Sequence, residues 1–171
     1  MKRSTFALLV ILILAAIVAT TSTSAAIVPE PGPSAFGFGE FRYRDPQTAR
    51  TELWSFSFEA IANKNGQARG RAHFENLFTQ THVVVRINCL SVSSGINLSA
   101  VMIGRVLHSD NPNLPKSARV RFEANDGPWP PIFSTDTITP LFEFPFPEED
   151  CGGPQLLTIL PVENGDISIQ L

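Results

Sequence analysis

In SARVRFEAND, residues 117 to 126, the apolar side chains Val120, Phe122 and Ala124 alternate one for one with Arg119, Arg121 and Glu123. Only extended backbone sorts these two sets onto opposite sides, because successive side chains of a strand leave the pleat in opposite directions. TELWSFSFEA repeats the pattern, with Trp54, Phe56, Phe58 and Ala60 on one face and Ser55, Ser57 and Glu59 on the other. Six further runs follow it with less contrast: 36–44, 67–76, 82–92, 97–109, 156–162 and 165–171. Turn-forming residues separate them, and Asn65-Gly66 and Asn164-Gly165 read as type I′ hairpins, whose two centres need positive φ. These runs predict an all-β fold, a single antiparallel domain of about eight short strands. Such a sheet hides its edges by closing or by doubling into a sandwich. Gly37, Gly39, Gly70 and Gly104, inside strand runs, read as the bends of a small barrel, which is preferred to two packed sheets.

The first 25 residues stand apart. Lys2 and Arg3 precede an apolar run from Phe6 to Val18, and the small residues Thr23, Ser24, Ala25 and Ala26 follow. That order marks a secretory signal peptide, residues 1–25, whose core is shorter than the ~20 residues a membrane-spanning helix needs. With no cysteine at the cut to carry a lipid, the expected product is a secreted soluble chain, extracellular or periplasmic, with no membrane span after cleavage. Residues 26–35 form an extended, proline-rich entry, and 36–171 the β-domain. Loss of Lys2 and Arg3 takes the formal charge from −3 to −5. Nucleic acid is therefore not an expected partner, since phosphate neutralisation needs clustered basic residues. Arg69, Arg71 and Arg86, with Arg119 and Arg121 later, alternate with apolar residues and read as solvated strand faces.

There are 2 cysteines, Cys89 and Cys151. In an oxidising compartment, with no third thiol left over, they are expected to form one disulfide. By alternation in HVVVRINCLSV, Cys89 shares the core face with Val83, Val85 and Ile87. Its partner lies near the end of a segment, 127–154, in which seven of the 14 prolines fall beside Trp129, Ile132, Phe133, Leu141, Phe142, Phe144 and Phe146. Proline removes ladder donors, so this segment reads as an irregular aromatic cover, anchored by the bridge. Closing a loop of this size lowers unfolded-state entropy by an amount equivalent to roughly 4 kcal/mol. A thiol nucleophile or a metal ligand is the rival use of Cys89, without a Cys-x-x-Cys or Cys/His cluster to support it.

The succession FSFEA, NGQARGRAHFEN, VVVRINCLSV, AVMIGRV, VRFEANDG, EEDCGG and GDISIQ resembles an uncharacterised family of small secreted bacterial β-domain proteins. These share F-x-F-x-A, G-x-A-x-G, V-x-C-L-x-V, I-G-G-x-V, D-x-G and D-C stretches in that order. The resemblance runs from about residue 36 to the end and implies export, one β-domain and a cysteine pair. It brings no catalytic residue. Arg105 stands where the pattern has a second glycine.

No nucleophile elbow, phosphate loop, HExxH or EF-hand pattern is present. His73 falls on a wet face, and His82 and His108 at strand ends. LHSDN, 107–111, places histidine, serine and aspartate side by side and reads as a turn, because triads assemble in space rather than along the chain. Glu148, Glu149 and Asp150, with Asp126 and Asp136 upstream, are a conceivable calcium loop and read first as exposed acids. Asn97 opens a formal glycosylation triplet. The expected function is that of a noncatalytic binding or structural module, with no cofactor and with a small apolar ligand or a cell-surface component as possible partner. The alternatives are a barrel carrying an apolar ligand among Phe36, Phe38, Trp54, Phe56, Phe58, Phe74 and Phe122, and a hydrolase-like or isomerase-like enzyme using His82, His108, Glu52 or Glu59.

Overall fold

The computed structural model describes residues 32–46, 48–63, 67–95, 97–127, 135–143, 151 and 158–171. The signal segment, most of the proline-rich entry, and Glu148, Glu149 and Asp150 lie outside them, as does most of the covering segment. Six long strands come first: β1 (Ser34–Arg44), β2 (Thr51–Ala62), β3 (Gln67–Asn76), β4 (Thr81–Ser94), β5 (Leu98–Ser109) and β6 (Arg119–Asp126). Four short ones follow, β7 (Thr137–Ile138), β8 (Phe142–Glu143), β9 (Leu160–Pro161) and β10 (Asp166–Gln170). All pairings are antiparallel, in the order β10-β1-β2-β3-β4-β5-β6-β7-β9, with β8 also on β6. The expected eight strands are thus ten among the described residues. The two additions, β7 and β8, come from the proline-rich segment.

The period-two residues line one face of this sheet, and the sheet curls around them. Phe58 on β2 and Phe74 on β3 meet Phe122 on β6 edge-on, with ring centroids 5.6 and 5.2 Å apart. Strands separated by several positions touch only if the sheet wraps. Phe56, Phe58, Phe74, Val83, Val85, Met102, Val120 and Phe122 form its core, with Ile167 and Ile169 from β10. Gly37 makes room for this packing, because a Cβ there would sit 2.6 Å from the Phe58 ring.

The expected barrel is corrected at the seam. The ladder does not close, since β10 pairs β1 on one side and has no strand on the other among the described residues. Its outward amides bond to carboxylates instead. Asp136 Oδ2 accepts from Ile167 N at 2.7 Å and Asp126 Oδ2 from Ile169 N at 3.0 Å, while Asp136 Oδ1 accepts from Gly127 N at 2.8 Å. A proline also divides the strand on the far side of β6 into β7 and β8. From Ala124 to Arg121 the chain takes three steps, but from Ile138 to Phe142, their partners, it takes four, and Pro140 lies in the surplus. There the Thr139 hydroxyl accepts from Glu123 N at 2.9 Å.

Asn164-Gly165 is not the expected hairpin, since β9 pairs β7 and β10 pairs β1. The two residues carry the chain across β1, where Glu40 N bonds Asn164 O at 3.1 Å and Glu163 N bonds Glu40 O at 2.8 Å. Gly165 has φ 157°, and a Cβ there would lie 2.0 Å from Phe38 O, so only glycine passes.

Cys89 and Cys151 are joined, with Cα atoms 5.8 Å apart. The predicted face of Cys89 is corrected. The register between β4 and β5 shifts between Ile87 and Cys89, so that Cys89 pairs Ile103 and Leu90 pairs Met102. The bulge at Asn88 gives Leu90 to the core and turns Cys89 to the opposite face, with Ile103 and Arg121. That face was expected to be wet along β6. Instead Arg121 and Glu123 are 1% and 4% exposed and ion-paired to each other. Beside them Ser99 donates to Asn125, and Asn125 Nδ2 donates to Thr137 Oγ1 at 2.9 Å, so this buried polar face is hydrogen-bonded rather than solvated.

Candidate functional site

At one end of the curled sheet the strands stop around a cleft of about 450 Å³, within the range of small-ligand sites. Phe41 and Tyr43 come from the end of β1, Glu52 and Trp54 from the start of β2, and Phe74 and Asn76 from the end of β3. The loop Asn111–Leu114 and residues 140–143 complete the wall. Leu114 is anchored in the core cluster, which fixes that loop beneath the opening.

The polar centre is built from a turn. Asn76 is 3% exposed, and its Oδ1 accepts from Phe78 N at 2.9 Å and Thr79 N at 3.1 Å, the Asx geometry that reverses the chain between β3 and β4. With its oxygen so used, Asn76 Nδ2 is aimed back at β2 and donates to Glu52 Oε2 at 2.7 Å. Trp54 Nε1 donates to the same oxygen at 3.1 Å. Glu52 and Trp54 are two residues apart on one strand and so share a face. One carboxylate oxygen is therefore held by two fixed donors.

Tyr43 stands opposite Glu52 in the β1–β2 register. Burial pushes its phenol above the ordinary value of 10.0, and the carboxylates of Asp45 and Glu52 push it further in the same direction. The described residues lining the cleft include Asp45, Glu52 and Glu143 and no Lys, Arg or His. Phe41 continues the aromatic wall into the core, 6.0 Å from Phe56.

Of the four strand-end residues proposed from sequence, only Glu52 enters this cleft. Glu59 is exposed opposite Arg71. His82 lies 3.8 Å from Glu75, and His108 3.2 Å from Asp110, each exposed and outside the cleft. His73 is exposed as expected. The turn expected at LHSDN begins only after Ser109, the last residue of β5, whose hydroxyl accepts from Asn111 N at 3.0 Å. Among the described residues no three His, Cys, Asp or Glu side chains converge on a metal position. Asp126 and Asp136, considered with the calcium loop, bind the β10 amides instead. Sequence reasoning did not find Tyr43, Asn76 or Glu143. The spacing Glu52-x-Trp54 was the one visible sign that a carboxylate and an indole share a face. No helix among the described residues is long and apolar enough to cross a membrane. No protein-family model, curated protein or solved structure matches the chain.

Proposed function

We propose that this is an exported, noncatalytic binding domain of the extracellular space or cell envelope, and that it holds a small ligand in the mouth cleft. The observation that carries the reading is Glu52, fixed by Trp54 and Asn76 inside an aromatic-walled opening of about 450 Å³. A carboxylate with one oxygen locked by two donors is suited to orienting a ligand, whereas a proton carrier has to exchange its partners. The cleft favours a ligand with an apolar body and an uncharged or cationic head, because Asp45, Glu52 and Glu143 repel anions and the rings attract cations. An apolar ligand deep inside the sheet is less well supported, since Phe58, Phe74 and Phe122 meet there. The cysteine bridge fits an oxidising destination.

Titration of the purified protein with benzylammonium, benzyl alcohol and benzoate, read by tryptophan fluorescence and native mass spectrometry, tests this. Benzylammonium is expected to bind best and benzoate worst, with Glu52→Gln reducing the preference and Trp54→Ala removing binding. Absence of binding by all three probes, or binding indifferent to both substitutions, refutes the reading.

A further inference from the structure

On the face opposite the core, strand register sets arginines side by side. Arg71 on β3 pairs Arg86 on β4, Arg86 pairs Arg105 on β5, and Arg105 pairs Arg119 on β6. This row crosses four neighbouring strands, which at a spacing of about 4.8 Å spans about 14 Å. Arg69, two residues along β3 from Arg71, faces the same way. Arg69, Arg71, Arg86 and Arg105 are exposed and Arg119 is half-buried.

Like charges directly opposite each other on neighbouring strands destabilise a sheet. A chain of net charge −3 has carboxylates enough to alternate with them. Yet Glu59 alone adjoins the row in register, opposite Arg71, and among the described residues neither Arg71 nor Arg86 has a carboxylate within ion-pair distance. Arg105 and Arg119 extend the row and are engaged in contacts of their own. The centre of the site is therefore the Arg71–Arg86 pair with Arg69 beside it.

We propose that this pair is an oxyanion site that takes a phosphate or sulfate group, free or as a terminal ester. A carboxylate is satisfied by one guanidinium fork, whereas a tetrahedral group has the further oxygens to accept from two forks on adjacent strands at once. Bound there, it relieves the repulsion that the register imposes. The site is independent of the mouth cleft, from which anions are repelled. It also revises the reading of these arginines as bland solvated positions: their two-residue alternation is visible along each segment, but their alignment appears only once the strands are paired.

The test compares the wild-type chain with Arg71→Gln, Arg86→Gln and Arg86→Glu, and with Arg50→Gln as a control outside the row. Inorganic phosphate, inorganic sulfate and dextran sulfate are the probes, read by calorimetric titration and by melting temperature. Because sulfate stabilises proteins generally, the difference between variants is the measurement. Binding is expected to fall about tenfold or more in each row variant and to be unchanged in the control. Without added anion, Arg86→Glu is expected to melt higher than wild type, since it sets opposite charges across the ladder. Binding of the inorganic ions identifies a free-anion site, and binding of dextran sulfate alone identifies an ester displayed on a polymer. Equal binding by wild type and all three row variants, or no binding of any probe, overturns the proposal.

Discussion

The ladder from β1 to β6 and the seam from β7 to β10 belong to one sheet but are held by different means. In the ladder, strands of 8 to 14 residues pair over long registers, and backbone amides bond to backbone carbonyls. In the seam, strands of two to five residues lie among prolines, and the side chains of Asp126, Asp136 and Thr139 supply missing acceptors beside the Asn125–Thr137 pair. The ladder rests on apolar burial distributed over many residues. The seam rests on a few polar contacts, most of which serve a particular backbone amide. A loss in the first is a loss of volume, and a loss in the second is a donor without a partner.

The largest separation between them is expected from Phe122→Ala. Phe122 is 0% exposed and contacts two other rings, so its truncation should destabilise the domain by about 3–5 kcal/mol in denaturant unfolding. A cost below about 1 kcal/mol would show that the ring cluster is not what holds the curl. Asp136→Ala should cost about 1–3 kcal/mol, because it leaves Gly127 N and Ile167 N without their acceptor. Its signature is local: hydrogen exchange at Ile167 should quicken while the β2–β3 amides keep their protection. Uniform acceleration across the sheet would mean that seam and ladder open as one unit.

The smallest effect is at the mouth and concerns pH. Tyr43 is the single tyrosine of the chain, so phenolate absorbance reports it alone. Its folded value is raised, which means that the neutral phenol is favoured by the fold. The stabilisation it brings is complete below the unfolded value of 10.0 and fades as pH rises through the higher folded one. Titration should therefore give a midpoint above 10.0, and Glu52→Gln should lower it while leaving the larger burial contribution in place. A midpoint at the ordinary value in the folded protein would separate Tyr43 from the carboxylates of the cleft.

How much of this could be read beforehand differs between the same two regions. Each of the six long strands lies on a run whose alternation was legible, and the inner residues Phe56, Phe58, Phe74, Val120 and Phe122 are buried as the period demands. Periodicity fails where a residue is inserted. Asn88 adds one position to β4 and reverses the face of Cys89, which no count of two could foresee. It also cannot say what covers the far side of a strand, and so alternation alone assigns Arg121 and Glu123, both buried, to a wet face. β7 and β8 were hidden by Pro140 between them and by having only two residues each. In the cleft, Glu52 was a candidate for its strand-end position, but its partner Asn76 lies 24 residues away and is brought to it by a turn. Such a relation belongs to pairing rather than to local pattern.

The placement of β10 beside β1 bears on how the chain reaches this state. Residues 34–38 find their second neighbour only in residues 166–170, so β1 must wait with one side open until β10 has been made. Pairings of such long sequence separation form slowly, and a bare strand invites association with other molecules meanwhile. A polypeptide of this design gains if β1 is shielded from other chains until β10 is available to cover it.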